Sequence, residues 1–204
     1  MKQYSLAIIS TAFILSVQTP AQAQQATSFT GAAVALGLGI TQNKANYGDF
    51  QGGKNSSKTD ALGKLDLSYG FNLSSNWVAT LGATHDLNTT KYGSMNYIDS
   101  GRSYEVSGKL KNHASLYLAP GYRFTPSLLG YAKLGWHTAT IDLNDSQGGS
   151  ISSSFNGTGY GLGLNAALSQ HLEARVEVEQ VDFNRKESFK LRTTQALIYL
   201  GYRF

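Results

Sequence analysis

The C-terminal stretch of the sequence, LRTTQALIYLGYRF (residues 191–204), alternates apolar side chains with small, polar or charged ones. A period of two indicates an extended strand, because successive side chains of a strand point to opposite faces. A strand that crosses a bilayer obliquely needs about 9–11 residues, and this stretch is long enough. Its apolar face therefore packs either on a protein core or on lipid. That face consists of Ala196, Ile198, Leu200, Tyr202 and Phe204.

The N-terminal segment has the features of a secretory signal peptide. Lys2 precedes an apolar run from Leu6 to Val17, and the sequence Ala21-Gln22-Ala23 provides small residues at a cleavage position. The apolar run is shorter than the ~20 residues that a membrane-spanning helix requires. We therefore expect residues 1–23 to be a cleaved signal peptide and residues 24–204 to form one exported domain.

The composition excludes several classes of protein. The chain has no cysteine, so an exported form has no disulfide framework and depends on its fold for stability. A formal net charge of +4 is too small to indicate a nucleic-acid partner. Beyond the signal peptide, no stretch approaches the ~18 consecutive apolar residues of a membrane helix.

The period-two pattern recurs along the rest of the chain. It predicts eight strands, near residues 28–40, 61–71, 77–87, 114–124, 128–138, 158–168, 171–179 and 191–204. The connections near 72–76, 125–127 and 169–170 are short. Those near 41–58, 88–111, 143–156 and 183–190 are longer and rich in glycine, serine, asparagine and charge. This alternation places all short turns at one end of the sheet, which is the layout of an outer-membrane barrel.

Aromatic residues mark the short-turn ends of these strands, always on the apolar face. A ring of aromatic side chains at one depth is typical of a membrane interface, and a sheet in lipid must close because it cannot leave an unpaired edge. A soluble eight-stranded ligand-binding barrel is the alternative, because the charged face of residues 171–179 would also suit an outer surface. The signal peptide, the aromatic ring and the loop asymmetry favour the membrane. The predicted periplasmic aromatic girdle consists of Tyr69, Phe71, Trp77, Tyr122, Phe124, Tyr202 and Phe204.

The predicted fold class is therefore all-β: an eight-stranded antiparallel transmembrane β-barrel in the cell outer membrane, with long extracellular loops and short periplasmic turns. The stretches GYGLGLNAALSQHLEARVEVEQVDFN (159–184) and LRTTQALIYLGYRF, and the hairpin LYLAPGYRFTPSLLGYAKLGW (116–136), resemble the small porin-family, OmpA-like (opacity-type) outer-membrane barrels. The resemblance implies insertion by the barrel-assembly machinery and surface-exposed loops. It identifies the terminal Phe204 as an assembly signal.

Possible chemistry is limited to one weak motif. His113 and Ser115 have the His-x-Ser spacing of the outer-membrane lipid A deacylase, but Ser115 shares the face of Tyr117, which we place inside the barrel, and no acidic residue on the following strand is placed to orient the histidine. His85, His137 and His171 lie on other strands without metal-ligand spacing. The glycines of GTGYGLG (157–163) do not form a dinucleotide fingerprint. We therefore predict no enzymatic activity, no metal and no cofactor, and retain a lipid A-modifying enzyme using His113 and Ser115 as a remote alternative.

The polar faces carry balanced charge, and an interior of eight strands is about filled by side chains. Because unpaired buried charges are costly, we expect an ion-paired, plugged lumen. This predicts a non-enzymatic protein whose surface loops serve envelope integrity, surface interaction or adhesion, with a narrow gated porin as the alternative. The expected partners are outer-membrane lipid, lipopolysaccharide and an unidentified surface ligand. The predicted structural network consists of Lys64, Asp66, Asp86, Arg123, Lys133, Glu173, Arg175, Glu177, Glu179 and Arg203.

Overall fold

Antiparallel β-strands form nearly all of the computed structural model, which describes residues 29–46, 55–99, 102–145, 149–184 and 190–204. No helix long and apolar enough to cross a membrane occurs in these ranges. The predicted signal peptide lies outside them and stays a prediction. The strands are β1 (Gly31–Asn46), β2 (Asn55–Asn72), β3 (Trp77–Asp86), β4 (Thr90–Asp99), β5 (Arg102–Thr125), β6 (Leu128–Asp145), β7 (Ser150–Ala167), β8 (Leu172–Phe183) and β9 (Lys190–Arg203).

The sheet closes on itself. Its strand order is β3-β2-β1-β9-β8-β7-β6-β5-β4, and a further pairing between β3 and β5 completes the circle. β3 pairs with the second half of β5 and β4 with the first half, so β3 and β4 together occupy one position in the wall. The prediction of an eight-stranded antiparallel β-barrel is confirmed.

The wall is irregular where β3 passes into β4. Residues 87–89 interrupt the strand, and the side chain of Asn88 takes over the pairing with β2: its Oδ1 accepts from Gly63 N at 2.8 Å and its Nδ2 donates to the Ala61 carbonyl at 3.0 Å. Opposite the break, β5 has a bulge between Lys111 and Ala114, with Asn112 at φ +49°. Asparagine tolerates this left-handed conformation better than most residues.

The strands extend further than the sequence pattern indicated. Residues 88–111, predicted to be a loop, contain β4 and the first part of β5. β1 and β2 similarly occupy much of 41–58, and β6 and β7 much of 143–156. The prediction missed these extensions because their outward residues are mostly polar, as Lys44, Lys109 and Ser152 are. Backbone pairing continues there without the apolar alternation that reveals a strand in lipid.

Apolar side chains face outward and polar ones inward. Leu38 is 73% exposed on the outer surface, whereas Lys64 inside the barrel is 0% exposed. The seven aromatic residues of the predicted girdle all lie on the outer surface at the short-turn end, where neighbouring rings touch: Trp77 and Tyr122 have ring centroids 5.3 Å apart, and Tyr202 and Phe204 are 5.0 Å apart. Apolar residues outside and polar residues inside are the distribution found in a barrel surrounded by lipid.

Two apolar layers lie above and below the polar centre of the interior. At the short-turn end, Phe29, Val78 and Leu129 form a small buried cluster. At the far end, a larger cluster lies between the extended strands. The polar centre therefore lies between two apolar clusters of the described residues. The far cluster contains Ala45, Tyr92, Leu110, Ala139, Ile141, Phe155, Val181, Phe183 and Leu191.

Candidate functional site

The barrel centre buries nine of the ten charged residues predicted to line the lumen. Arg123 is the exception. Its guanidinium donates to the Ser75 carbonyl at 3.0 Å and to Asn72 Oδ1 at 2.5 Å, so it caps the turn between β2 and β3. The interior position predicted for Arg123 is wrong, because a long side chain at a strand end can bend around the rim and reach the carbonyl groups of a turn.

Arg175 and Asp66 form the first ion pair of the buried network. Arg175 Nη2 lies 2.9 Å from Asp66 Oδ2, which also accepts a hydrogen bond from the Tyr117 hydroxyl at 2.9 Å. The Arg175 guanidinium stacks over the Tyr199 ring, 4.1 Å from its centroid. The short ion-pair distance and the stacking contact offset part of the cost of removing both charges from water.

Lys133 joins two carboxylates of β8. Its ammonium lies 2.8 Å from Glu177 Oε1 and 3.2 Å from Glu179 Oε1. Glu177 also accepts a hydrogen bond from the Tyr131 hydroxyl at 2.7 Å. The two glutamates point into the same interior because they are separated by two positions on one strand. Lys133 thus lies between two carboxylates that strand alternation places on the same face of β8.

Lys64 connects the network to β3 and to two histidines. Its ammonium donates to Gln195 Oε1 at 2.6 Å and lies 3.3 Å from Asp86 Oδ1 and 3.9 Å from Glu179 Oε2. Asp86 in turn contacts His113, and His113 contacts His137. Lys133 Nζ also lies 4.5 Å from the centroid of the Tyr117 ring, and this contact connects the Arg175–Asp66 pair to the part of the network that ends at the histidines. Arg203 and Glu173 form a separate bidentate pair near the short-turn end, with Nη2 2.8 Å from Oε2.

Three inward-facing tyrosine rings, two buried and one half-buried, each lie against a glycine of an adjacent strand. A Cβ atom built on Gly82 would sit 2.5 Å from the Tyr117 ring, and one on Gly37 would sit 2.5 Å from the Tyr199 ring. Gly163 is covered in the same way by Tyr131. The absent side chain leaves space that the ring occupies, so each pair fills part of the lumen.

The residues of the His-x-Ser motif have other partners. His113 Nδ1 lies 2.8 Å from Asp86 Oδ2 and its Nε2 lies 3.0 Å from His137 Nδ1. The Ser115 hydroxyl bonds with the Thr84 hydroxyl at 2.7 Å. All of these groups are buried in the lumen, away from the lipid that a deacylase must reach. The described part of the strand that follows His113 in sequence offers no acidic partner. The partner is Asp86 on β3, which pairs with β5, the strand that carries His113.

A basic pocket lies at the far end, between β2, β4 and β5. Backbone pairing between β2 and β4 is replaced there by side-chain bonds such as Ser56 Oγ to the Tyr92 carbonyl at 3.0 Å. The resulting cavity has a volume of about 460 Å³, and its lining includes Lys58, Lys91 and Lys109 with one acid, Glu105. The three lysines are exposed. Cationic side chains and serine hydroxyl groups are suited to holding an anionic, hydroxyl-rich ligand.

The outer surface beyond the apolar region also carries ion pairs. Lys111 Nζ lies 2.5 Å from Asp142 Oδ2, and Ser152 Oγ donates to Asp142 Oδ1 at 2.6 Å. These hydrogen bonds lower the pKa of the Asp142 carboxyl from its ordinary value. No group of three or more histidine, cysteine or acidic residues placed to hold a metal ion occurs in the part of the chain that the structure describes.

The sequence matches the family model of the outer membrane protein beta-barrel domain over residues 9–204. The chain belongs to this family. By sequence, no curated protein matches it. Family membership places the chain in the outer membrane.

Solved structures with the same fold are also outer-membrane barrels. Ail, the attachment invasion locus protein of Yersinia pestis solved with the heparin analogue sucrose octasulfate, is 19% identical, with a TM-score of 0.51 over 86% of this chain and 100% of Ail. Neisserial surface protein A is 13% identical, with a TM-score of 0.50 over 85% of this chain and 99% of the other. At these identities, the likeness concerns the fold.

The predicted network lacks two of the residues that connect it. His137 and Gln195 were not included, because nothing in the sequence shows which strands meet across the lumen. Strand alternation was the available signal, since His137 shares a face with Lys133 and Gln195 shares one with Tyr199. Trp136 and Tyr160, which are exposed on the outer surface of β6 and β7, were likewise not assigned to an interface.

Proposed function

We propose that this protein is a non-enzymatic surface component of the outer membrane that binds anionic saccharides at its extracellular end. The observation that carries the proposal is the convergence of Lys58, Lys91 and Lys109 on one cavity above the lipid-facing region. Phosphorylated or sulfated sugars offer the negative charge and hydroxyl groups that lysine and serine side chains bind. Lipopolysaccharide and surface glycans of other cells share this chemistry, and correspond to roles in envelope integrity and in adhesion.

The interior supports a binding role in preference to a catalytic or transport role. The polar centre lies between two apolar layers, so a substrate has no described route to His113 or Ser115. The charges are held in contact with one another, and any solute would have to displace these contacts at a high cost in free energy. The extended strands, in contrast, present exposed lysines to the medium.

Binding of sucrose octasulfate to the purified protein in lipid nanodiscs, followed by isothermal titration calorimetry, tests the proposal. The choice of probe follows from Ail, which was solved with this compound. We expect binding that weakens as salt is raised, because exposed charges are screened. The triple variant K58Q/K91Q/K109Q should weaken binding by about tenfold or more, which corresponds to about 1.4 kcal/mol.

A charge-matched control separates the pocket from general surface charge. Lys44, Lys190 and Arg192 are exposed at the same end of the barrel on β1 and β9, and K44Q/K190Q/R192Q removes the same number of cations. This control should retain most of the affinity. Equal loss in both variants would show nonspecific attraction, and absence of binding to the wild-type protein would contradict the proposed function.

For biogenesis, we propose that the barrel-assembly machinery inserts the chain and that Phe204 contributes the recognition signal. Phe204 is 75% exposed on the lipid-facing surface, so its side chain adds little to packing within the barrel. Its backbone N donates to the Ala32 carbonyl at 2.9 Å, at the seam where β1 meets β9. An exposed aromatic residue at the closing strand is accessible to an assembly factor before the seam forms.

A further inference from the structure

We infer that His113 and His137 form a proton-binding site in which the two imidazole rings together hold one extra proton, shared between them and fixed by carboxylates at both ends. The two rings lie between Asp86 and Glu179 in the polar centre of the barrel. His113 is 2% exposed and His137 is 0% exposed. The ligand of this site is the proton itself, and its position follows from hydrogen-bond geometry and from charge balance.

Each of the two imidazole rings has one ring nitrogen close to a carboxylate oxygen. Asp86 Oδ2 lies 2.8 Å from His113 Nδ1, and Glu179 Oε1 lies 3.3 Å from His137 Nε2. An ionised carboxylate only accepts hydrogen bonds, so His113 Nδ1 must carry a proton. His137 Nε2 and Glu179 Oε1 lie close together without the geometry of a hydrogen bond, and a proton on this nitrogen replaces the repulsion between a lone pair and a carboxylate with attraction. The lysines keep both acids ionised, since Lys64 contacts Asp86 and both Lys64 and Lys133 contact Glu179.

The contact between the rings requires one more proton. His113 Nε2 lies 3.0 Å from His137 Nδ1, and two nitrogen lone pairs at this distance repel unless a hydrogen lies between them. The four ring nitrogens therefore hold three protons. Two neutral rings hold only two, so the pair carries one positive charge. If the two rings held only two protons, one of the three contacts would bring together two acceptor atoms with no hydrogen between them.

The charges of the buried network also indicate three protons on the two rings. The connected interior contains three fixed cations and four carboxylates, so it has one uncompensated negative charge when both histidines are neutral. One proton on the histidine pair makes the network neutral, as burial in a low-dielectric interior requires. The cations are Lys64, Lys133 and Arg175, and the carboxylates are Asp66, Asp86, Glu177 and Glu179.

Four charged groups and an aromatic ring surround the pair. Lys64 on β2, Asp86 on β3, Lys133 on β6 and Glu179 on β8 are the charged groups that face the pair. Phe183 packs against His113, with ring centroids 5.8 Å apart. Gly135 and Gly159 flank His137, and a Cβ on Gly135 would sit 2.8 Å from its Nε2. The imidazole rings are thus held in place by glycine, carboxylate and aromatic neighbours.

Nitrogen NMR on the full chain tests the inference. The protein labelled with ¹⁵N-histidine is folded in lipid nanodiscs, and protonation of each ring nitrogen is read between pH 5 and pH 9. His85 and His171 are exposed and serve as internal references, assigned with H85Q and H171Q. The buried pair should show three N–H groups at neutral pH. Two N–H groups in total, or four, at neutral pH would overturn the inference.

A charge-removal variant provides a second and independent test. Glu179→Gln leaves three carboxylates against three cations, so the pair should release its extra proton and show two N–H groups at neutral pH. Glu177→Gln makes the same change in charge without altering a direct contact of the rings, and serves if the first variant does not fold. Glu173→Gln, in the separate pair with Arg203, should leave three N–H groups. Retention of three in both network variants would contradict the charge-balance argument.

Discussion

At the scale of single residues, the interior of this barrel depends on pairs rather than on individual charges. Glu177 is held by Lys133 and by the Tyr131 hydroxyl, and each of these groups is buried or half-buried. Removing one partner of a buried pair leaves the other charged and without water, which is more costly than losing the attraction between them. Conservative changes that retain a hydrogen bond should therefore be much milder than truncations.

Glu177→Ala should lower the free energy of unfolding by about 1–3 kcal/mol, because it leaves the Tyr131 hydroxyl without its acceptor and leaves Lys133 with Glu179 as its one remaining carboxylate partner among the described residues. Glu177→Gln should cost less, since an amide oxygen still accepts from Lys133 and Tyr131. Urea unfolding in detergent micelles measures both. Asp182→Ala, which breaks an exposed pair with Arg192, is the control and should cost at most about 1 kcal/mol. Equal stability of the alanine and glutamine variants at Glu177 would contradict this account.

Residue-level pairing was only partly predictable from the sequence. Strand alternation placed Glu177 inside, and charge limited its partner to the few cations of the predicted network, which include Lys133 and Arg203. The structure selects Lys133, whereas Arg203 binds Glu173. Pairing across the lumen depends on strand stagger and barrel diameter, and neither is encoded in the local pattern of a single strand.

At the scale of strands, the wall has two parts with different outer surfaces. The periplasmic part faces lipid and is apolar outside, whereas the extracellular part faces water and is held by backbone pairing and exposed polar contacts. Lys111, Asp142 and Ser152 link β5, β6 and β7 in this second part. Because these contacts are exposed, they respond to pH and salt, in contrast to the buried network.

Asp142 should titrate below the ordinary pKa of an aspartate, about 3.9, because it accepts hydrogen bonds from Lys111 and Ser152. A carboxyl whose pKa is lowered by folding stabilises the native state above the unfolded pKa, and this contribution is lost as pH falls through the folded value. Carbon NMR of the carboxyl group measures the titration. Lys111→Gln should move the pKa upward, whereas Lys44→Gln, on β1, should not. An unchanged titration in Lys111→Gln would contradict the assignment.

Deletion of Phe204 should reduce the amount of folded barrel in the outer membrane severalfold while leaving export and processing intact. The reason is the proposed recognition of the exposed terminal ring, together with loss of the bond to Ala32 at the seam. Heat-dependent mobility in gel electrophoresis of outer-membrane fractions measures folded protein. Phe124→Ala removes another exposed ring and is the control. Refolding of the truncated chain in detergent separates assembly from stability: failure there would indicate a structural role in place of a signal.

At the scale of the whole molecule, the barrel is a closed wall around a layered and filled interior. The architecture was predictable because lipid imposes a strict pattern: apolar residues outside, a closed sheet and aromatic residues at the interface. The extent of the extracellular strands was not predictable, because water imposes no such pattern. The apolar layers were also missed, since residues such as Phe155 and Phe183 lie in segments assigned to loops or beside them, where an inward apolar side chain has no apolar outward neighbour.

Planar-bilayer recordings should detect no steady openings of the wild-type protein, because both apolar layers exclude water and the charges between them are paired. The double variant F155A/F183A removes two large rings from the extracellular layer and should produce brief, small conductance events. Leu162→Ala/Leu164→Ala removes exposed side chains from the lipid-facing surface and should behave as wild type. Long-lived, large openings of the wild-type protein would favour the porin alternative.

The tyrosine rings that lie on glycines have a consequence for redesigning this barrel as a nanopore. Each tyrosine ring occupies the space next to its glycine, so the side chains at the two positions cannot be chosen independently. Adding a side chain at Gly82 would force the Tyr117 ring away from the wall, whereas removing the ring first would leave room that a small residue at Gly82 could refill. A library that varies the tyrosine and the glycine of each pair together would sample pore diameters that no series of single substitutions can reach.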